Sequence, residues 1–382
     1  MLLYLYSAVS LALALAYFLL IRFYTRHWNA LPQWEIPDDY IPASTISVII
    51  AARNETLPIE ACLRSVLQQN YPAVLFEVIV VDDYSEDDTA AKVAAFKAPN
   101  LQLVRLADCD PTPAVRAFKK KAIESGINRA KGELIVVTDA DCIVQPDWLR
   151  LIASLYERKK AILIAAPVEF HQENNTISRF QSLDLLGMMA ITGAGIHTRT
   201  MRMCNGANLA YSRKAFLEAG GFSGLDGIAS GDDMLLAQKM ALTHADRIFY
   251  LKNKAAAVFT EAKPDWKSFF NQRLRWASKS AHYIEWRVTA ALGIVYVFCM
   301  NMLFSLTMSV WYPLLIPVFL IPLALKAVID YYFLKNISSW FNRGELLHRF
   351  LPSFFLHCWY IICVGTASMV VKKYEWKGRK VR

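Results

Sequence analysis

From Met1 to Ile21 the chain carries no charged side chain, and Arg22, Arg26 and His27 follow. A helix of about 20 apolar residues crosses the hydrocarbon core of a bilayer, where backbone polar groups must be satisfied internally. The run therefore reads as a transmembrane helix over residues 1–21. A cleaved signal peptide would open on a basic segment, and this one opens on Met-Leu-Leu-Tyr. Basic residues beside a span favour the cytosolic side, so the chain after Ile21 is expected in the cytosol. Two more apolar stretches lie at the other end. Val288 to Leu334 is interrupted only by Lys326 and Asp330 and breaks at Trp311-Tyr312-Pro313, which divides it into two spans. Leu351 to Val371 is a third uncharged run. Residues 288–371 thus read as a transmembrane region, and the chain as a multi-pass protein of a cell inner membrane or plasma membrane.

Parity sets two signals against each other. One span before the central region and three after it would put the C-terminus outside. Yet residues 372–382 hold six basic side chains and one acid, a composition that favours the cytosol. An even number of crossings after Arg287 reconciles them, with Leu351 to Val371 re-entrant or interfacial, or with Val288 to Leu334 crossing once. The tail is expected to be cytosolic.

Composition agrees with a membrane protein: 55% of residues are apolar and 13% aromatic. The net charge of +9 first raises nucleic acid as a partner. The basic residues instead cluster beside apolar runs: Arg22 and Arg26; Arg273, Arg275, Lys279 and Arg287; then the tail. That is the pattern of contact with lipid headgroups, so membrane lipids and no nucleic acid are expected as partners. The seven cysteines form no C-x-x-C pair and read as reduced thiols.

Residues 22–45 are polar, contain prolines and read as a linker. From Ile46 the pattern alternates. Ile46–Ala51, Phe76–Val81, Leu101–Leu106 and Leu134–Val137 are short buried-strand runs. Pro58–Gln69 and Val115–Ala130 have helical spacing. Strands alternating with helices imply a mostly parallel α/β sheet, expected to run over residues 46–287.

Ligands bind beyond the carboxyl ends of such strands, and acidic residues stand there repeatedly. Glu55 follows the first strand, Asp82-Asp83 the second and Asp139-Ala140-Asp141 the fourth. For a single Asp after a strand, a helix N-cap is the better reading. Three acidic strand ends point to a nucleotide site. Asp139 and Asp141, one residue apart in a turn, can both face one hard cation such as Mg²⁺ or Mn²⁺, which bridges to phosphate. Asp232-Asp233 opens the amphipathic stretch Met234–Leu242. It offers either a helix N-terminal charge or a general base for a sugar hydroxyl. Gln272, Arg275 and Trp276 share a helix face by i, i+3, i+4 spacing. Arg suits a diphosphate and Trp a sugar ring, while an interfacial helix on headgroups has the same composition.

In this order the residues resemble family 2 glycosyltransferases of the GT-A fold, over Ile46 to Arg287. Glu77–Thr89 is similar to the family's nucleotide-binding strand, Lys119–Glu133 to its lysine-containing helix, and Thr138-Asp-Ala-Asp141 to its metal motif. Ser230-Gly-Asp-Asp233 stands where the family has a T-E-D or E-D base motif. Gln272–Trp276 matches Q-x-x-R-W, found in cellulose, hyaluronan and poly-N-acetylglucosamine synthases and ceramide glucosyltransferases. The resemblance implies a Rossmann-like, mostly parallel GT-A catalytic domain flanked by transmembrane helices. Glu55, Asp82, Asp83, Lys119 and Asp139 would contact the nucleotide. Asp139 and Asp141 would address the metal and diphosphate. Asp233 would be the base, and Gln272, Arg275 and Trp276 would serve diphosphate and acceptor. The implied reaction is inverting transfer from a nucleotide-sugar, a UDP-sugar by this likeness, to a lipid or growing glycan. A catalytically silent nucleotide-binding subunit and a nucleotidyltransferase are the rival readings. Intact Asp139, Asp141 and Asp233 argue against the first, and Q-x-x-R-W against the second. Three positions depart from the family: Tyr84 and Phe118 replace the usual glycines, and Asp232 the usual glutamate.

Overall fold

The computed structural model describes residues 1–109, 118–173, 175–225, 231–278, 282–370, 374–376 and 379–381. The expected start of a helix at Val115, Ser230 of the base motif and residues 372, 373, 377, 378 and 382 of the basic tail lie outside them. The chain divides into two compact units. One comprises Leu31–Gln172, Arg202–Ala262 and Lys373–Arg382, and the other Met1–Ala30, Glu173–Met201 and Lys263–Lys372.

The first unit is built on a seven-stranded sheet. Its strands are β1 (Ile46–Ala52), β2 (Phe76–Asp82), β3 (Leu101–Arg105), β4 (Leu134–Asp139), β5 (Leu163–Ala165), β7 (Leu209–Ser212) and β8 (Ile248–Tyr250). Strand β6 (Val168–His171) pairs separately with β9 (Val258–Glu261). The sheet order is β3-β2-β1-β4-β7-β5-β8. All neighbours run parallel except β7, which is antiparallel to β4 and to β5. The mostly parallel sheet expected of a GT-A domain is therefore present. Strands β1, β2 and β4 are buried almost throughout, which is why they read as continuous apolar runs without alternation. The register puts Ala52 opposite Asp82 and Ala51 opposite Asp139, so the acidic ends of β2 and β4 flank the end of β1.

Helix α2 (Ile59–Leu67) follows β1, and α3 (Phe118–Arg129) precedes β4. Gly126 lets α3 lie against the sheet, since a Cβ there would stand 2.7 Å from the Ile49 side chain.

The second unit is helical. It contains α1 (Leu2–Ala30), α4 (Thr176–His197), α6 (Trp266–Ala277), α7 (Trp286–Met308), α8 (Leu315–Trp340) and α9 (Phe350–Val370), while α5 (Met234–His244) belongs with the sheet. Four helical segments, Leu3–Ala30, Trp286–Met308, Leu315–Trp340 and Gly344–Val370, are long and apolar enough to cross a membrane. Helix α1 continues past Arg22 and Arg26 to Ala30. Helix α4 lies inside the stretch 46–287 yet groups with these helices. Asn175 caps it, and its side chain and that of Ser178 satisfy each other's amides.

The two charges of α8 are buried together. Lys326 Nζ lies 2.5 Å from Asp330 Oδ2 and donates to Tyr17 Oη on α1 at 2.9 Å, and Tyr17 donates to the other oxygen of Asp330. Charges at this depth are tolerated when they face the bundle and pair. Removing one partner strands the other. Lys326→Met is expected to cost about 3 kcal/mol or more of stability, and adding Asp330→Leu to recover most of that. Thermal unfolding in detergent reads both.

Candidate active site

One end of the candidate site rests on the loops after β1 and β2. Arg53, 6% exposed, donates through Nη1 to the carbonyls of Asp83 and Tyr84 and through Nη2 to Glu86 at 2.9 Å. Asp87 accepts from the amides of Thr89 and Thr56, and Thr89 Oγ1 accepts from the amide of Glu55 at 2.8 Å. The two loops are thus stitched to each other. Tyr84, where a glycine is usual, has φ +52°. That left-handed region costs a residue with a Cβ about 1 kcal/mol, and the Arg53 clamp on its carbonyl holds it there. Asp82 and Asp83 are each 2% exposed. Asp82 Oδ1 is buried without a hydrogen-bond partner among the described residues. A buried, idle carboxylate oxygen is costly unless a ligand N–H meets it. The imide of uracil or the N1–H of guanine would do so.

The second part is a charge cluster. Lys119, the second residue of α3, sets Nζ 2.6 Å from Asp139 Oδ1 and 3.4 Å from Asp232 Oδ2. Burial alone would push the ammonium down. The carboxylates of Asp139, Asp232 and then Asp233 outweigh it and hold Lys119 well above its ordinary value, firmly charged. Asp232 is shorter than the usual glutamate but still reaches this lysine. Phe118 simply begins α3.

Asp233 is the N-cap of α5, so the bland reading of that residue holds as well. Its Oδ1 accepts from the Met234 amide at 2.6 Å and its Oδ2 from the Gly206 amide at 3.2 Å. A helix N-terminus and a second amide fix the carboxylate's orientation.

Asp139, Asp141 and Cys142 bring one ligand atom each within 4.8 Å of one another. Cys142 is fully buried. Burial, then Asp141 and Asp139, push its thiol well above the usual range. A neutral thiol is a poor ligand, whereas two carboxylates in a turn fit a hard cation that takes its remaining oxygens from phosphate and water.

Sequence patterns did not single out Gly206 or Arg53. A Cβ on Gly206 would sit 3.2 Å from Asp232 Oδ2 and 3.5 Å from Asp233 Cβ, so a side chain there would press on the Asp232 carboxylate. Its signal was Asn205-Gly206 just ahead of β7, with Asn205 Oδ1 accepting from the Ala207 amide at 3.0 Å.

The sheet unit thus gathers Asp82, Asp139, Asp141, Lys119, Asp232 and Asp233 at the strand ends, with Glu55 beside Thr89. Gln272, Arg275 and Trp276 stand on α6 in the helical unit, all half-buried. Lys119→Met takes away the ammonium that Asp139 and Asp232 share. It is expected to lower the midpoint of thermal unfolding and make it rise more steeply with added Mn²⁺ than in the parent protein.

A family model described as Glycosyl transferase family 2 matches residues 47–220, and another, Glycosyl transferase family group 2, matches residues 134–369, well over half the chain. YdaM of Bacillus subtilis, named as a probable glycosyltransferase, is 24% identical over 270 residues, 69% of this chain and 61% of that protein. The poly-beta-1,6-N-acetyl-D-glucosamine synthase of Staphylococcus epidermidis is 22% identical over 346 residues, 87% of this chain and 76% of that one. Among solved structures, the mannosyltransferase PcManGT from Pyrobaculum calidifontis, in complex with GDP-Man and Mn²⁺, is similar over 96% of this chain and 99% of its own. The TM-score is 0.61 and the identity 20%, a likeness of fold.

Proposed function

The chain belongs to the family 2 glycosyltransferases, and from that premise we propose that it transfers a sugar from a UDP-sugar to a lipid or growing glycan at the cytosolic face of a membrane. The observation that carries this reading is the Lys119 cluster, which joins a diphosphate-and-metal pair, Asp139 and Asp141, to an oriented carboxylate, Asp233. Asp82 would accept from the base, with Asp83 and Glu55 completing the nucleotide contacts. A divalent cation on Asp139 and Asp141, Mg²⁺ or Mn²⁺, supplies charge neutralisation on the leaving diphosphate. Asp233 would take the proton of the acceptor hydroxyl as that oxygen bonds to the anomeric carbon and the bond to the nucleoside diphosphate breaks, inverting the centre. The motif assigns Arg275 and Gln272 to the diphosphate and Trp276 to the acceptor ring.

Membranes given a panel of UDP-sugars and GDP-mannose are expected to release UDP from one of them. A nucleotidyltransferase would instead release inorganic diphosphate when given a nucleoside triphosphate and a sugar phosphate, and a silent subunit would turn over neither set. Chelator should abolish turnover and Mg²⁺ or Mn²⁺ restore it, and Asp141→Ala should be inactive though folded; full activity in excess chelator would remove the metal role.

Asp233→Asn is expected to bind UDP normally and to lose about 10²-fold or more in transfer. If Asp232→Asn alone has that effect, the base is the neighbouring residue.

The orientation is open to the same kind of check. The hairpin formed by Tyr374–Trp376 and Arg379–Val381 groups with the sheet unit, which supports a cytosolic tail and an even number of crossings after Arg287. A cysteine appended after Arg382 should resist impermeant maleimide in intact cells and react in lysed ones.

A further inference from the structure

One residue inside Gln272–Trp276 has no part in the roles assigned above. Arg273 is the most buried member of α6 after Phe269, at 3% exposure. Its Nη2 donates to Asp184 Oδ2 on α4 at 2.7 Å, and the two side chains are 3% and 6% exposed. The guanidinium carbon lies 4.4 Å from the centroid of the Trp276 ring and 5.0 Å from that of Phe269. These are its i+3 and i−4 neighbours, the two positions that share its face of the helix. Nε and Nη1 have no hydrogen-bond partner among the described residues. One amine is thus tied to a fixed carboxylate while the guanidinium lies against two aromatic rings.

The carboxylate is itself held from another helix. Tyr360 Oη on α9 donates to Asp184 Oδ1 at 3.4 Å, and His357 Nε2 stands 4.0 Å from the same oxygen. Tyr360 also packs edge-on against Phe269, with centroids 5.7 Å apart. Three helices therefore converge on one guanidinium, and its exit is the ring of Trp276.

We propose that Asp184 and Arg273 are positioning residues for Trp276: Asp184 fixes the guanidinium, and the guanidinium fixes the plane and rotamer of the indole that would receive the acceptor sugar. The claim about Trp276 and the acceptor rests on the function proposed above; the claim about the strut does not. Lysine at 273 would keep the charge and a reach toward Asp184 but has no planar group to lay on an indole. Asparagine at 184 would keep the shape and lose the charge that anchors Arg273.

The test uses the full-length protein in detergent, labelled with 5-fluorotryptophan, with the Trp276 resonance assigned through Trp276→Phe. The parent protein should give one narrow Trp276 line. Arg273→Lys and Asp184→Asn should broaden or shift that line alone among the ten tryptophans, and Asp184→Glu should restore it at least in part. On the UDP-sugar that is turned over, titrated with a total lipid extract as acceptor source, both variants should raise the acceptor KM about tenfold or more. The affinity for UDP with Mn²⁺, read by calorimetry, should stay within about twofold. A pair that only stabilises the fold would lower the unfolding midpoint and leave the Trp276 line and the acceptor KM alone in Arg273→Lys; that result overturns the proposal. If the parent protein turns over no nucleotide-sugar, the proposed function fails, and the fluorine line still decides whether the strut exists.

Discussion

One ammonium group organises the carboxyl end of the sheet. Lys119 comes from the first turn of α3, Asp139 from the end of β4, and Asp232 and Asp233 from the turn that opens α5. Carboxylates brought this close repel one another, and a cluster of them would spread apart or take up protons. A buried lysine removes part of that repulsion and fixes where each carboxylate points. Asp139 and Asp232 share this one ammonium. The carboxylates of Asp139 and Asp141 share a turn and could both face one hard divalent cation. A candidate cation site and an oriented carboxylate thus adjoin the same lysine.

Most of this was legible because sheet registration is a local matter here. Buried central strands are apolar runs of six or seven residues, and the first charge after each run marks its carboxyl end. Asp82 and Asp139 could therefore be placed from the pattern alone, and the register confirms that both flank β1. The antiparallel insertion of β7 between β4 and β5 was not legible, since pairing across the sheet depends on contacts far apart in the chain. Helix α4 escaped for a different reason. It is buried nearly all round, so it has no polar face whose period would announce it. Gly206 was missed because its role is an absence of atoms, which only the positions of Asp232 and Asp233 reveal.

Tyr84 illustrates how a departure from a family pattern is absorbed. The backbone still adopts the left-handed conformation that glycine would enter freely. The strain is local and small, of order 1 kcal/mol. Arg53 offsets it by binding the carbonyls of both Asp83 and Tyr84, so the loop is held from the β1 side and does not depend on glycine. The loop keeps its backbone conformation with an aromatic residue in place of glycine.

Among the described residues the helical unit contains two ion pairs with a side chain no more than 3% exposed, and their difference separates anchorage from function. In Lys326, Asp330 and Tyr17 both carboxylate oxygens are engaged, by the ammonium and by the phenol, in a closed arrangement that ties α8 to α1. Such a triad resists dissection but presents nothing outward. In Arg273 and Asp184 one guanidinium nitrogen is paired, and Nε and Nη1 have no hydrogen-bond partner among the described residues. Desolvating a guanidinium on those terms is unfavourable as a way to hold helices together, because a buried pair recovers its cost only when every donor is met. The arrangement is accounted for if the cation serves an aromatic ring, and its guanidinium carbon lies 4.4 Å from the centroid of Trp276.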